Sequence, residues 1–343
     1  MAGPDEFGRM DARERHGKLD AQGHPAGGRR AMGTPGQRHA EARDSRARSA
    51  GWWALVGLGA LWLVDGILQL QPAQFSAANL AVGTVGGALM ALPPPLYAFS
   101  LRVVISDLAP YDGFWTVFVA GLELAIAAGL LVGPPRAKRA ALVASAAFGG
   151  FLWVFAEGMG GILEGTMHGG IFPGTPSLFN GFPGAGLVYS LVSLMLLIPQ
   201  ERWNLSRRFS AVRMAPALLL LVCVFVQAAP LMWTSFGQAS IFTAASDNLT
   251  PQMAPVAAPL ERFAVAFPMV TNALELAATL VAAVGLGLGR AWGYRFALAL
   301  LAFVWVFGVG LGGVLTGAAT DPNTPPAIAL LMIPAIAATR SAP

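Results

Sequence analysis

The chain contains one cysteine and few charged residues. Cys223 lies inside an apolar run, so an intramolecular disulfide and any cysteine-based zinc or iron–sulfur site are excluded. Charged residues make up 12% of the 343 residues, well below the roughly 25% usual for soluble domains. Phosphate-binding loops, nucleophile elbows, HExxH motifs and dinucleotide fingerprints are missing as well. These absences argue against a soluble domain with a familiar catalytic motif.

Hydrophobic residues make up 55% of the chain, and after residue 50 they form long runs with almost no charge. Such runs are typical of helices that satisfy their backbone hydrogen bonds within lipid. The sequence therefore predicts an all-α polytopic membrane protein with eight transmembrane helices. The expected spans are Trp52–Leu70, Phe114–Val132, Ala140–Leu163, Gly184–Ile198, Met214–Trp233, Phe267–Leu288, Phe296–Leu315 and the short Pro326–Ile336.

Two further apolar segments are predicted to lie at the membrane surface. Residues 80–101 carry no charged residue, but their glycines and the run Pro93-Pro94-Pro95 disfavour a ninth span, so a re-entrant or interfacial segment is expected. The stretch Val256–Phe267 carries Glu261 and Arg262 among apolar residues, as an interfacial helix does. These segments either cover an outward-facing cavity or act as spacers on the membrane.

The basic residues predict the topology. All but two of the 22 Lys and Arg lie in residues 1–50 or in one set of loops, and only Arg102 and Arg262 fall elsewhere. This asymmetry predicts that the chain spans a cell membrane several times with both termini in the cytoplasm. Because the membrane topology accounts for the positions of the basic residues, a lipid bilayer is the expected partner and a nucleic acid is not.

The apolar part of the sequence contains an internal repeat. Trp153–Gly165 matches Trp305–Gly317 at an offset of 152, and the same offset places Glu123 on Glu275. The sequence therefore predicts two parallel four-helix repeats. The expected domains are a disordered basic cytoplasmic tail at 1–50, a first repeat at 51–200, a basic linker at 201–213 and a second repeat at 214–338.

Asp65, Glu123 and Glu157 are the candidate functional residues. An ionisable group inside a bilayer costs roughly 2.5–3.5 kcal/mol on insertion scales, so each needs a partner or a role. The predicted topology places all three in the outer half of the membrane. In the second repeat Asp65 aligns with Cys223 and Glu157 with Val309, whereas Glu123 is retained as Glu275. This asymmetry predicts one proton- or ligand-handling site in a duplicated scaffold.

A weaker hypothesis adds a metal site. If the third span continues far enough, Glu157, Glu164 and His168 fall on one helical face at intervals of seven and four residues. With Met167 they would form an outward-facing set of acids, an imidazole and a thioether. His168 is the only histidine outside the tail, and a solvated loop histidine is the alternative. Likewise, Glu123 and Glu275 have a structural alternative, in which they hydrogen-bond between the repeats.

The segment Leu61–Pro72 (LWLVDGILQLQP) resembles actinobacterial integral membrane proteins of uncharacterised activity, as do Phe155–Gly161 (FAEGMGG) and Phe182–Ala185 (FPGA). More distantly, each repeat is similar to the DoxX-like membrane family, in which a small residue and a later proline follow the apolar run of the first helix, as Gly66 and Pro72 do here. That family includes a membrane subunit of thiosulfate:quinone oxidoreductase.

Three functions are therefore open. The DoxX resemblance implies a redox-associated membrane subunit with an outward-facing carboxylate pocket, a quinone as the possible cofactor and an oxidoreductase partner subunit. The same acids would also suit a transporter or binding protein for a cation or small solute. The third hypothesis is a structural or assembly scaffold, whose buried acids only specify helix pairing. Whether the chain is an enzyme is left open by the sequence.

Overall fold

The computed structural model describes residues 35–75, 85–89, 91–162, 176–203 and 209–339. The chain divides into residues 1–40, of which only the first turns of a helix are described, and residues 41–343, which form a unit of packed helices. All regular structure in the described ranges is helical, which confirms the predicted all-α class. The helices α1 to α12 are Pro35–Leu68, Gly86–Leu89, Pro94–Val103, Asp112–Leu131, Pro135–Phe155, Ala185–Leu197, Ala211–Gln227, Ser235–Asp247, Ala254–Ala266, Pro268–Gly287, Ala291–Phe303 and Thr324–Thr339.

Within the described ranges, five helical stretches are long and apolar enough to cross a membrane. The other three predicted spans coincide with the shorter apolar helices α6, α7 and α12, of 10–17 residues. Large apolar side chains are exposed on the helices, with Phe225 74% and Leu274 60% exposed, as expected of a surface that contacts lipid. The five long stretches are Ala47–Leu68, Pro94–Leu131, Pro135–Phe155, Pro268–Gly287 and Ala291–Gly308.

The proline run at 93–95 begins a helix and does not interrupt one. Pro94 and Pro95 occupy the first turn of α3, where a missing N–H has no consequence. A π-helical turn at Val104–Leu108 and a short 3₁₀ turn then join α3 to α4. The resulting 38-residue stretch is roughly 55 Å long, far more than the ~30 Å of a bilayer core. Its α3 end therefore extends beyond the hydrocarbon region if α4 crosses it.

The third predicted span is wrong at its C-terminal end. Helix α5 stops at Phe155, and Gly158–Gly161 follow with positive φ angles, including 56° at Met159. The helix ends before Glu157, so the continuous helix on which the predicted face of Glu157, Glu164 and His168 depends is absent at Gly158–Gly161; Glu164 and His168 themselves lie outside the described residues. Three glycines in four residues permit this left-handed turn, which a helical pattern of apolar residues does not reveal. The seventh predicted span is interrupted in the same way at Gly310–Gly313.

The helices pack in two groups that meet at α12. Helix α5 lies between α4 and α6, whereas α10 lies between α7 and α11. Helix α12 contacts α6, α7 and α11. Helix α1 approaches α4 and α12 so closely that a Cβ on Gly66 would collide with Leu124, and one on Gly57 with Leu330. This packing brings the end of α1, the turn after α5 and the loop before α12 to the same end of the bundle.

Candidate functional site

Four carboxylic acids line one cavity of about 90 Å³, here called the small cavity. Three of them are the predicted residues Asp65, Glu123 and Glu157, which the packing brings together from α1, α4 and the turn after α5. The fourth is Asp321, in the loop that precedes α12. Tyr189 of α6 also lines the small cavity. The site thus includes a residue from the half of the chain that the sequence assigned to structure.

The loop geometry explains how Asp321 is held in place. Its Oδ1 accepts a hydrogen bond from the Asn323 N–H at 2.6 Å, and its Oδ2 accepts one from the Thr320 hydroxyl at 3.1 Å. Asn323 in turn caps α12, because its Oδ1 accepts the Thr324 N–H at 2.7 Å. Despite these two donors, burial raises the pKa of the Asp321 carboxyl.

Glu157 is held at the start of α6. Its Oε1 accepts the Gly186 N–H at 2.9 Å, at the end of a helix where backbone N–H groups are unpaired and a negative charge is favoured. Burial, followed by the negative charge of Asp321, nevertheless raises the pKa of Glu157 from 4.5 to about 8. Near neutral pH, Glu157 therefore holds a proton that an approaching cation can displace.

Several polar atoms in the small cavity have no protein partner. Glu123 Oε2 and Glu157 Oε2 are buried and accept no hydrogen bond, and Asp65 Oδ1 and the Tyr189 hydroxyl lie close enough to interact with each other but have no further partner. Asp65 and Glu123 are each only 2% exposed. Nearly all buried polar groups in proteins are hydrogen-bonded, so a cluster of unpaired acceptors indicates a missing ligand or proton.

A second cavity, here called the large cavity, adjoins the small one. Its volume is about 270 Å³, and both cavities are lined by Glu157, Ala185 and Asp321. Asn180 and Asn323 contribute further polar groups to the large cavity. Among the described residues, no Lys, Arg or His lines either cavity. The carboxyl groups of Glu157 and Asp321 thus lie where the two cavities meet, with no basic side chain among the described lining residues to neutralise them.

The other side of the small cavity is filled by aromatic side chains. Trp62 is fully buried one helical turn before Asp65, and its ring lies 4.8 Å from that of Tyr189 between centroids. The Trp62 indole N–H donates to Ser145 Oγ at 2.7 Å, and Ser145 is hydrogen-bonded to Ser193 at 2.7 Å. This packed layer separates the carboxyl groups from the opposite end of the bundle.

The corresponding acid of the second half has a different environment. The Gln227 amide donates to Glu275 Oε2 at 2.7 Å, and the Gln238 amide does so at 3.4 Å. Gln227 also donates to Asn272 at 2.7 Å. These partners lie on α7, α8 and α10, so Glu275 Oε2 links these three helices, whereas Glu275 Oε1 is buried without a hydrogen-bond partner. Its surroundings are those of a structural hydrogen-bond network.

The predicted metal residues Glu164, Met167 and His168 lie outside the described residues. Within the part of the chain that the structure describes, no three His, Cys, Asp or Glu side chains are grouped so that they could hold a metal ion. The acids of the small cavity therefore offer charge and hydrogen-bond acceptors to a ligand without forming a metal coordination site.

Comparison of the chain with protein-family models, with curated proteins and with solved structures finds no match. The class of the protein follows from its helices alone: it is a multi-pass helical membrane protein with exposed apolar surfaces suited to a lipid bilayer.

Gly184 provides a direct test of the Glu157 position. Its φ of 105° disfavours any side chain, and a Cβ there would collide with Glu157 Oε2. We expect Gly184→Ala to displace the carboxylate and to lower the free energy of unfolding by about 1–3 kcal/mol. The matched control is Gly121→Ala on α4, where nothing lies within 4 Å of a Cβ. Thermal unfolding in detergent measures both; equal effects of the two variants would contradict the prediction.

Proposed function

We propose that the chain is a bacterial inner-membrane protein whose carboxylate pocket opens to the outer face and binds a small organic cation in exchange for protons. The observation that carries this proposal is the set of buried, unpartnered carboxylate oxygens in a cavity without a basic side chain among its described lining residues. We further propose that eight spans form two parallel four-helix repeats, with both termini on the cytoplasmic side.

The backbone supports the duplication. Gly158–Gly161 and Gly310–Gly313 form left-handed turns with φ between 54° and 74° in the first and between 57° and 70° in the second. Each turn includes a non-glycine residue, Met159 or Leu311, in this unusual conformation. Helices α1 and α7 are likewise each followed by a 3₁₀ turn that begins with a proline. One duplication explains the presence of the same unusual turn at both places more simply than two independent origins do.

Side-chain contacts give the same pairing. The Trp153 indole N–H donates to the Pro183 carbonyl at 2.8 Å, and the Trp305 indole N–H donates to the Pro322 carbonyl at 2.8 Å. In both cases the accepting proline lies just before the next apolar helix, α6 or α12. The equivalence pairs the loop before α6 with the loop before α12, and the second of these supplies Asp321 to the pocket.

The distribution of charge along the helices supports the orientation. Helix α1 carries Arg48 near one end of its apolar stretch and Asp65 near the other, about 26 Å apart at 1.5 Å per residue. Helix α5 has Lys138 and Arg139 in its first turns and is followed by Glu157. Because cytoplasmic loops are rich in Lys and Arg, the pocket lies towards the outer face.

The charge of the pocket favours a cationic ligand. Several carboxylates in a poorly solvated cavity do not all ionise unless a cation compensates them. An ammonium group carries three hydrogen-bond donors and no acceptor, the complement of acceptors that lack donors. About 90 Å³ accommodates such a group, and the large cavity offers a further 270 Å³ or so for its substituents. Amines and diamines of low mass are therefore the proposed ligand class.

The redox-subunit hypothesis has less support from the geometry. A quinone ring presents carbonyl acceptors and no positive charge, so it does not supply the donors that the carboxylate oxygens of the small cavity lack. That hypothesis therefore rests on the DoxX resemblance and predicts an oxidoreductase subunit that co-purifies with the chain. The scaffold hypothesis suits Glu275, whose Oε2 accepts hydrogen bonds from two amides on neighbouring helices, but it gives no account of the four acids gathered around one cavity.

The test is a calorimetric titration of the protein in nanodiscs with 1,4-diaminobutane, using uncharged 1,4-butanediol as the comparison ligand. We expect the diamine to bind and the diol not to bind. Glu123→Gln and Glu275→Gln form a matched pair, because they make the same change at corresponding positions of the two halves. Loss of a charge-assisted hydrogen bond predicts about 10- to 100-fold weaker binding for Glu123→Gln and a change of less than about twofold for Glu275→Gln.

Proton exchange gives this experiment a second readout. Because Glu157 holds a proton below a pH of about 8, diamine binding near neutral pH is expected to release protons into the buffer. Titrations in two buffers of different ionisation enthalpy count those protons. Absence of diamine binding, equal binding of the diol, or equal losses in the two glutamine variants would overturn the proposed function.

A further inference from the structure

A different cavity lies at the opposite end of α1, α5 and α6. Its volume is about 380 Å³, and we call it the basic cavity because Arg48, Lys138 and Arg139 line it. Among the described residues, no Asp or Glu lines it. One of these cations lies on α1 and the other two lie in the first turns of α5, so the positive charge comes from both sides of the cavity.

The remaining wall of the basic cavity is apolar. Trp52 is 51% exposed beside it, and Leu55 of the same helix faces it one turn further along. Leu196 and Leu197, at the end of α6, and Leu142 of α5 complete the wall. A site for free inorganic phosphate has no need of such a wall. Cations beside an apolar wall match a ligand with an anionic head and a hydrocarbon body.

The position of the basic cavity fits such a ligand. Arg48 is the second residue of the stretch Ala47–Leu68, and Lys138 and Arg139 lie in the first turns of Pro135–Phe155, both of which are long and apolar enough to cross a membrane. The cations therefore lie at the level of lipid headgroups, while the leucines lie deeper, at the level of acyl chains. Basic pockets between membrane helices on the cytoplasmic side are known sites for anionic headgroups.

We propose that the basic cavity binds one anionic phospholipid, with its phosphate beside Arg48, Lys138 and Arg139 and an acyl chain along Trp52 and the leucines. The occupant is a lipid of the inner leaflet, held where α1 meets α5 and α6. This site is independent of the carboxylate pocket. It assigns to three of the basic residues a role in binding beyond that of orienting the chain in the membrane.

Native mass spectrometry tests this proposal on the whole chain, purified from nanodiscs of phosphatidylcholine that contain a minor fraction of phosphatidylglycerol. We expect one phosphatidylglycerol to stay bound per chain and phosphatidylcholine to be lost. Each Lys or Arg near the membrane surface contributes about 1 kcal/mol to the binding of an anionic lipid, which is roughly fivefold in affinity. The triple variant Arg48→Gln/Lys138→Gln/Arg139→Gln should therefore bind phosphatidylglycerol about 100-fold more weakly. The single variant Arg139→Gln should lose roughly fivefold.

The matched control is Arg136→Gln, which removes a charge from the same turn but from a residue that does not line the basic cavity. We expect this variant to retain the lipid as the wild type does. Equal retention of the two lipids, or equal losses in Arg136→Gln and Arg139→Gln, would overturn the proposal. Displacement of the lipid by inorganic phosphate would show a site for the free anion and would overturn it as well.

Discussion

In Glu157→Gln, we expect the melting temperature to vary with pH much less than in the wild type between about pH 5 and pH 8. The folded pKa of Glu157 is about 8, against 4.5 for an ordinary glutamate, so the unfolded chain releases this proton first as pH rises. Its contribution is therefore most favourable below about pH 4.5 and is lost progressively up to about pH 8. Glutamine keeps the shape of the protonated acid and does not titrate.

The expected size of this effect is large. A shift of one pKa unit corresponds to about 1.4 kcal/mol, and because Glu157 is only partly buried we expect about 2–4 kcal/mol between the two ends of the range. At pH 8 and above, Glu157→Gln should therefore melt at a higher temperature than the wild type. Some slope should remain, because burial also raises the pKa of Asp321.

Thermal unfolding followed by tryptophan fluorescence, from pH 5 to pH 9 in one detergent, measures the two profiles. Glu201→Gln is the control, because it removes an exposed carboxylate near the opposite end of α6 and should leave the profile of the wild type unchanged. A slope in Glu157→Gln as steep as that of the wild type would show that other groups carry the pH dependence.

The three predicted acids were found because they are ionisable residues within predicted spans. Asp65, Glu123 and Glu157 occur on different predicted spans, and their positions along those spans placed all three in the outer half of the membrane. Charged groups inside a membrane gain most by sharing one solvated or occupied cavity, so acids in the same half are expected to lie close together. The structure places all three around the small cavity, although Glu157 lies beyond the end of its helix.

Asp321 was not predicted, because its approach depends on how the two halves pack. The sequence shows an acid in a short loop beside Pro322, which is typical of an exposed turn. Only the contacts of α12 with α6 bring that loop against the end of α1 and the turn after α5. One signal was available: Asp321 directly precedes the proline whose counterpart, Pro183, lies in the loop before α6.

The errors at the helix ends share one cause. Apolar periodicity continues through Gly158–Gly161 and Gly310–Gly313, so the predicted spans ran on to Leu163 and Leu315. Hydrophobicity reports which environment a segment occupies, whereas the left-handed turn is decided by φ angles that glycine tolerates. The repetition of the glycine pattern was visible in the sequence, but the pattern alone does not show the φ angles that end the helix.

Glu123 and Glu275, the two acids that the proposed duplication pairs, have different surroundings. Glu275 Oε2 accepts hydrogen bonds from the amides of Gln227 and Gln238, although Glu275 Oε1 has no partner, just as Glu123 Oε2 has none. A hydrogen bond from an amide partly replaces a counter-ion, because hydrogen bonds to a carboxylate favour its ionised form. Around Glu123, by contrast, the small cavity brings together three further acids, Asp65, Glu157 and Asp321, so the compensating positive charge has to be supplied by a proton or a ligand.

Trp62→Ala should produce the largest loss of stability among the single changes discussed. Trp62 is fully buried between the small cavity and the rest of the bundle, and it donates a hydrogen bond to Ser145. Removing the indole leaves a cavity and takes one of its two hydrogen-bond partners from the Ser145 hydroxyl, for which we expect a loss of about 3–5 kcal/mol. Trp62→Phe should lose less, because the ring contact with Tyr189 is largely kept.

Trp53→Ala on the same helix is the matched control, because Trp53 is 56% exposed and should contribute little. Chemical denaturation in mixed micelles gives the free energies for the three variants, and equal losses for Trp53→Ala and Trp62→Ala would contradict the prediction. The diamine titration adds a readout that stability does not determine. If the buried indole only fills space, Trp62→Phe should bind diamine as the wild type does. We expect instead that Trp62→Phe binds diamine roughly 3- to 10-fold more weakly, because Trp62 holds Tyr189 and Asp65 in position.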